Sequence, residues 1–400
     1  IAEHGKTTWR ITLSPSASAS ERYAAEELKK YISEISGAVL PIEIDSTTES
    51  SAIFRLGADA AGKILSPSEI QDLGDEGFVI RSHSDGIIIT GGPKRGTLYG
   101  VYSFLESILG CRWFSDAVSS IPKRDTIALR EIDVCEIPQL EYREPYFGDI
   151  ENGDWSARNK CNGQFSTLAE KHGGRIQYIQ PWCHSFEHLV PVEKYFDTHP
   201  EYFSEIEGKR LREKTQLCLT NLEVFEIVLS GIREWIGANP EANIVSISQN
   251  DWGNQCSCEE CKKIDLEEGG CSGTLIRFVN KVAEAIEKDF PHYLIDTLAY
   301  PYTRKAPRHA RPRHNVVVRL CSIECCFSHP FETCREKMLL KDQEGTGATF
   351  VEDLKEWGAI TDRLYIWDYA TNFSNYVMPF PNLFVLKPNI EIFVKNNVKG

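Results

Sequence analysis

Residues 274–299 read TLIRFVNKVAEAIEKDFPHYLIDTLA, and they decide the fold class. Thr274–Phe290 carries a helical apolar pattern, Pro291 interrupts it, and Tyr293–Ala299 is a strand-length run. A helix leading at once into a strand is half of a β-α-β unit, and the alternation extends in both directions. Strand-like runs recur at Leu140–Phe147, Arg175–Trp182, Gln216–Thr220, Ile244–Ser248, Val316–Cys321 and Leu364–Tyr369, with further helices at Leu222–Ile236 and Leu383–Asn396. Strands and helices in turn predict a parallel sheet, and the length of about 260 residues suits a (β/α)8 TIM barrel. Seven strands follow Pro138, and Val398-Lys399-Gly400 stands where an eighth would begin. The expectation is therefore a barrel whose eighth strand is missing from this chain. The competing architecture is a doubly wound open sheet, but no Gly-rich dinucleotide loop follows the first strand.

Before this region lies a small α/β unit. Trp9–Leu13 alternates as a strand, and Ser18-Ala19-Ser20-Glu21 opens a helix that Gly37 ends. Short strands follow at Pro41–Ile44, Ile53–Leu56, Phe78–Ile80 and Gly86–Thr90, then a second helix at Gly96–Leu109. Two domains are expected, a small one over residues 1–130 and a catalytic barrel over 138–400.

Composition narrows the partners. The 400 residues are 42% hydrophobic and 26% charged with a formal net charge of −14, ordinary for a globular protein but repulsive to phosphate backbones. The basic stretch Arg304–Arg313 contains prolines and reads as a solvated loop, so nucleic acid is not expected as a partner. No apolar run reaches the roughly 18 residues of a membrane span. The chain begins at Ile1, which reads as a processed or trimmed start with its signal peptide removed.

Chemistry in a barrel gathers at the C-terminal ends of the strands. Those ends supply Trp182-Cys183-His184, Gln249-Asn250-Asp251-Trp252, Tyr300, Ser322-Ile323-Glu324, and Trp367-Asp368-Tyr369 followed by Thr371-Asn372. Aromatic faces stack on sugar C–H surfaces, carboxylates and amides bind hydroxyls, and glycosidic cleavage needs an acid plus a second group that stabilises the cationic centre. Asp251, Glu324 and Asp368 are the carboxylate candidates. Trp182, Trp252, Tyr300, Trp367, Tyr369, His184 and Asn372 are candidate substrate contacts. His184 and His188 are four apart, but no HExxH motif is present, so a metal pair is not expected.

Thirteen cysteines need a separate reading. Cys256, Cys258 and Cys261, with Cys271 ten residues on, follow a strand end; they are expected to clamp the Asp251 loop through a disulfide, with structural zinc as the alternative. A second cluster, Cys321, Cys325, Cys326 and Cys334, flanks Glu324, and His329 is the one nearby histidine that could serve a thiol nucleophile.

Several of these strings resemble a known family. His184-Ser185-Phe186-Glu187-His188 with Thr198-His199-Pro200-Glu201-Tyr202-Phe203, Ser248-Gln249-Asn250-Asp251, Arg319 through Cys326, and Trp367 through Phe373 are similar to glycoside hydrolase family 163, formerly a bacterial domain of unknown function. The N-terminal unit resembles the domain that precedes the barrel in β-hexosaminidases and α-glucuronidases. The resemblance implies a retaining endo-β-N-acetylglucosaminidase that cuts the core GlcNAc–GlcNAc bond of complex N-glycans, with the substrate's own 2-acetamido oxygen as nucleophile. It implies no cofactor and a secreted, periplasmic or cell-surface location in a bacterium. Related hexosaminidases carry Asp-Glu after strand four, where this chain has Asn250-Asp251. Asp251, Asn250 and Glu324 are the implied catalytic set, with Asp368 hydrogen-bonding substrate. The alternatives are an α-glucuronidase-like enzyme, for which Arg143 and Arg319 are the cationic candidates, and a non-catalytic glycan-binding protein.

Overall fold

The structure is a computed structural model and describes residues 1–44, 52–335, 348–380 and 382–400. The chain divides into two compact units, Ile1–Arg175 and Ile176–Gly400.

The first unit is a six-stranded sheet with helices. Its strands are β1 (Arg10–Leu13), β2 (Ile42–Ile44), β3 (Ile53–Leu56), β4 (Phe78–His83), β5 (Gly86–Gly91) and β6 (Asp133–Glu136), in the order β6-β4-β5-β3-β1-β2. The pairs among β5, β3, β1 and β2 are parallel, whereas β4 runs antiparallel to both its neighbours. Helix α1 (Ala19–Ser36) starts where Ser18 and Glu21 form a reciprocal capping box and stops at Gly37, whose φ of 77° suits a residue without Cβ. Helix α2 (Gly96–Ser103) continues as one π turn over Phe104–Ile108, so the single helix expected to Leu109 is interrupted in register. Leu140–Phe147, expected as a strand, is irregular and belongs to this first unit. Much of its backbone pairing comes from Asn162, whose side chain accepts from the Arg143 N–H and donates to the Glu141 carbonyl and whose own N–H donates to the Arg143 carbonyl.

In the second unit a parallel sheet carries β7 (Ile244–Ser246), β8 (Leu294–Ala299), β9 (Val316–Cys321) and β10 (Leu364–Trp367) in that spatial order. The main helices are α3 (Leu222–Ala238), α4 (Glu259–Glu268), α5 (Ser272–Glu287), α6 (Phe350–Gly358) and α7 (Leu386–Lys395). Residues Leu275, Ile276, Phe278, Val279, Val282, Ala283 and Ile286 form the buried stripe of α5. Full burial of each larger side chain in such a stripe is worth about 1.5–3 kcal/mol relative to exposure.

Single parallel bridges extend both sheet edges, Tyr178 to Ile244 and Leu364 to Val398. At the second edge the Lys399 N–H donates to the Leu364 carbonyl and the Ile366 N–H to the Gly400 carbonyl. Residues 398–400 thus pair at the position where a further strand was expected to begin. Gln216–Thr220 is not a parallel strand, because Leu217 bridges Phe203 in antiparallel fashion and Tyr178 pairs directly with Ile244. The fold is mixed α/β, and the parallel sheet of the second unit consists, among the described residues, of four strands with a single bridge at each edge.

Candidate active site

Gln249, Asn250 and Asp251 follow β7 in the chain. Gln249 and Asn250 are buried, while the Asp251 side chain is 61% exposed. The Gln249 amide donates to the Leu298 and Tyr300 carbonyls and to the Thr303 hydroxyl. Both ends of the Asn250 amide are occupied, accepting from the Glu187 N–H at 3.0 Å and donating to the Thr215 carbonyl at 3.0 Å. Asn250 therefore anchors the loop that presents Asp251.

Asp251 accepts the Tyr300 hydroxyl proton at 2.8 Å, and His184 Nε2 lies 3.9 Å from the same carboxylate oxygen. The His184 Nδ1 bonds the Gln249 carbonyl at 2.7 Å, a contact that requires the proton on Nδ1 and leaves Nε2 as the acceptor in the neutral ring. His184 adopts a left-handed φ of 51°, and this backbone turn aims its ring at Tyr300 and Asp251. Burial leads in raising the Tyr300 hydroxyl pKa, with Asp251 and Glu324 both adding to it, so the two carboxylates act on one phenol.

Glu324 is 23% exposed and receives Arg304 Nη1 at 3.2 Å. Arg304 is 2% exposed and also grips Asp353 through Nε at 2.7 Å, while its carbonyl accepts the Trp357 indole. The reading of Arg304–Arg313 as a solvated loop thus fails at buried Arg304, Ala306 and Pro307 and holds at exposed Arg308, His309 and Arg311. The segment wraps buried acidic groups, since Glu268 accepts the His309 and Ala310 N–H groups as well as Arg277.

Asp368 is half-buried. One oxygen, Oδ1, accepts both the Ser322 hydroxyl at 2.8 Å and the Tyr369 N–H at 2.9 Å. Burial raises its pKa, and these two hydrogen bonds only partly oppose that. Glu324 and Asp368 both act on the thiol of Cys325, which sits in a shared apolar cluster with Tyr300, Trp367 and Tyr369.

Aromatic rings form a shelf beside these carboxyls. Trp182 and Trp367 have centroids 4.8 Å apart, and Trp367 and Tyr369 are nearly parallel at 6.2 Å. The Arg319 guanidinium lies 5.1 Å from the Trp182 ring and 5.5 Å from Trp367, and forms an ion pair with buried Asp296 at 2.8 Å. Arg319 is thus committed to the sheet interior. Arg143 lies in the other unit, bound to Glu76. The remaining candidates serve their own loops: Trp252 donates to the Thr215 carbonyl, and Asn372 accepts the Ser374 N–H.

Of the cysteines, Cys256, Cys258 and Cys261 converge, but their fourth neighbour is Cys218 and not Cys271. Burial and the nearby Asp265 carboxylate raise the Cys271 thiol pKa instead. No disulfide joins any of the thirteen cysteines. Near Glu324, the Cys326 sulfur stands 3.2 Å from His329 Nδ1; burial opposes ionisation, yet hydrogen bonds with His329 and Ser328 outweigh it and lower the thiol to about 7.

Sequence reasoning missed Gln216, Ser322, Arg304 and Cys218. Gln216 is buried, and its amide accepts the Asn250 N–H while donating to the Asn250 and Trp252 carbonyls. Gln216→Ala would leave those backbone groups unpaired, an expected loss of about 1–3 kcal/mol measurable by urea unfolding. No sequence signal distinguishes Gln216 from the strand-like run around it.

No curated protein matches the chain in sequence. A chitobiase from Flavobacterium johnsoniae shares the fold with a TM-score of 0.50 at 12% identity, over 92% of this chain and 57% of that one. A mutant β-hexosaminidase of Streptomyces plicatus, solved with the product GlcNAc, matches at a TM-score of 0.47 and 13% identity over 93% and 73%. A family GH115 4-O-methyl-α-glucuronidase with specificity for decorated arabinogalactans matches at 0.47 and 13%, over 91% of this chain and 49% of that enzyme. The chain therefore spans about half the length of that glucuronidase. Residues 3–104 match the model described as glycosyl hydrolase family 67 N-terminus. Residues 113–400, well over half of the chain, match the model described as domain of unknown function (DUF4838), and the chain belongs to that family.

Proposed function

We propose that the protein is a glycoside hydrolase acting on a β-linked N-acetylglucosaminide, with its active site at the ends of β7–β10. The observation that carries this reading is the Tyr300–Asp251 hydrogen bond at the strand ends, with Glu324 acting on the same phenol and Asp368 set in the chain between Trp367 and Tyr369, the Trp367 ring packing against those of Trp182 and Tyr369. The family 67 N-terminal match supports a glycoside hydrolase, and the fold shared with a chitobiase is in keeping with an N-acetylglucosaminide substrate. The finer proposal is a retaining endo-β-N-acetylglucosaminidase of the family 163 kind, cutting the core GlcNAc–GlcNAc bond of complex N-glycans, on a barrel scaffold in a secreted or surface-bound bacterial protein.

Roles follow from the environments of the carboxyls. A proton donor must hold its proton near neutral pH, and burial of Asp368 raises its pKa in that direction. Asp368, which the resemblance made a substrate hydrogen-bonding group outside the catalytic set of Asp251, Asn250 and Glu324, thus takes the proton-donating role. Its Oδ2 side protonates the leaving glycosidic oxygen. Asp251, oriented by the Tyr300 hydroxyl, accepts the acetamide N–H and stabilises positive charge as the acetamido oxygen attacks the anomeric carbon. Water then opens the cyclic intermediate and returns a proton to Asp368. Glu324, fixed by Arg304, supplies negative charge beside the oxocarbenium-like centre, and the aromatic shelf stacks on sugar faces.

The test is incubation with a glycoprotein bearing complex biantennary N-glycans, followed by mass spectrometry. Release of glycans ending in one reducing GlcNAc, with the second GlcNAc left on asparagine, is the expected result. Release of intact glycan, or none from folded protein, would remove the endo-acting assignment. A pH profile gives a separate check on the donor. The Ser322 hydroxyl stabilises ionised Asp368, so Ser322→Ala raises the Asp368 pKa and preserves the protonated form to higher pH. The alkaline limb of kcat is expected to move up by about half to one pH unit, matching one hydrogen bond. A limb that stays fixed or moves down would count against Asp368.

A further inference from the structure

We propose that Cys218, Cys256, Cys258 and Cys261 form a tetrahedral zinc site that locks the Asp251 loop in place. The four sulfur atoms all lie within 4.8 Å of one another. The Cys218 sulfur is 3.7 Å from that of Cys258 and 4.0 Å from that of Cys261. Four thiolates at about 2.3 Å from a central zinc stand about 3.8 Å apart, the edge of the tetrahedron. The observed spacings fit that edge, and they are nearly twice the S–S bond of about 2.05 Å.

The surroundings suit a dianionic zinc–thiolate centre. Cys218, Cys256 and Cys261 are buried and Cys258 half-buried, in a cluster of their own. The Glu205 N–H points at the Cys256 sulfur at 3.4 Å, and Arg210 Nη1 stands 3.7 Å from the same atom. The Thr220 hydroxyl lies 3.3 Å from the Cys261 sulfur. Cys258 is the N-cap of α4 and Cys261 sits in its first turn, where the helix dipole favours negative charge. Such outer donors orient ligands and spread their charge, as around other thiolate metal centres.

The ligands also come from two segments that need joining. Cys218 follows Gln216, whose amide clasps Asn250 and Trp252, and Cys256 follows the same loop four residues after Trp252. Ser257 adds two bonds to the Glu205 carbonyl. A metal here ties residues 205, 218 and 256–261 together around the base of the Asp251 loop. The cysteines are thus positioning residues for that loop.

The test uses the full chain purified under reducing conditions and dialysed against metal-free buffer. Elemental analysis is expected to find one zinc per chain, and X-ray absorption to find four sulfurs at about 2.3 Å. Cys218→Ser should lose that zinc, whereas Cys271→Ser should keep it. Should Cys218→Ser fail to fold, exchange of the wild-type metal for cobalt gives the deciding signal, the thiolate charge-transfer and intense d–d bands of a tetrahedral site. Metal-free protein in which all thirteen thiols react after denaturation would overturn the proposal. So would a thiol count reduced by disulfides, iron in place of zinc, or zinc retained by Cys218→Ser.

Discussion

Asp368→Asn is expected to lower kcat about 1,000-fold on a natural glycan while leaving the fold intact. Asparagine keeps a carbonyl oxygen where Oδ1 now accepts from Ser322 and the Tyr369 N–H, so the local bonding survives. The amide cannot deliver a proton to the departing sugar oxygen. A substrate with a 4-nitrophenol leaving group needs little protonation, and on it the variant should lose far less. Asp251→Asn should lose activity on both substrates, because orienting the acetamide matters whatever departs. Steady-state kinetics on the two substrates separates these roles. Equal losses by Asp368→Asn on both would mean that Asp368 binds sugar without donating a proton.

Arg304→Met carries the largest expected effect on stability, a loss of about 3–5 kcal/mol at pH 8. Arg304 is the partner of buried Asp353 and the anchor of Glu324. Among the described residues Asp353 Oδ1 already lacks a hydrogen bond, so removing Arg304 leaves the carboxylate with no compensating charge. Burial is the leading influence on Asp353 and pushes its pKa up to about 6 from the ordinary 3.8, with Arg304 opposing it. A carboxyl raised on folding contributes stability that is complete below 3.8 and lost as pH climbs through the folded value. Without Arg304 the folded value rises further. The added penalty therefore falls where Asp353 would be ionised, and it should be much smaller at pH 5 than at pH 8. Denaturant unfolding at the two pH values reads this directly. Arg304→Met with Asp353→Leu should recover most of the loss, since an apolar pair of similar volume leaves no buried charge. A single-variant penalty independent of pH would contradict the argument.

Much of the scaffold was legible because its signals are local. Ser18 and Glu21 bond each other's backbone, and Gly37 takes a left-handed φ, so both ends of α1 are written in its own residues. The stripe of α5 and the buried runs of β8 and β9 follow from period and composition. Leu140–Phe147 and Gln216–Thr220 carry the same sort of pattern without forming parallel strands. There the backbone finds other partners, the Asn162 side chain in one case and the antiparallel Phe203 in the other. Periodicity does not name the backbone's partner: Gln216, Leu217 and Cys218 are buried without a parallel neighbour among the described residues, and Leu140–Phe147 carries its apolar residues half-buried or exposed.

Chain order sets which chemical groups follow which strands, and so brings Asp251, Tyr300, Glu324, Asp368 and the tryptophans forward as a candidate site. Their states are not written there. That Asn250 is bound at both ends, that Arg304 is buried against two acids, that Asp368 is lifted by burial, and that Cys218 replaces Cys271 in the cysteine cluster emerge from the packing. The reason is physical. A side chain's identity belongs to one position, but its desolvation, ion pairs and ligand geometry depend on groups that distant segments bring to it.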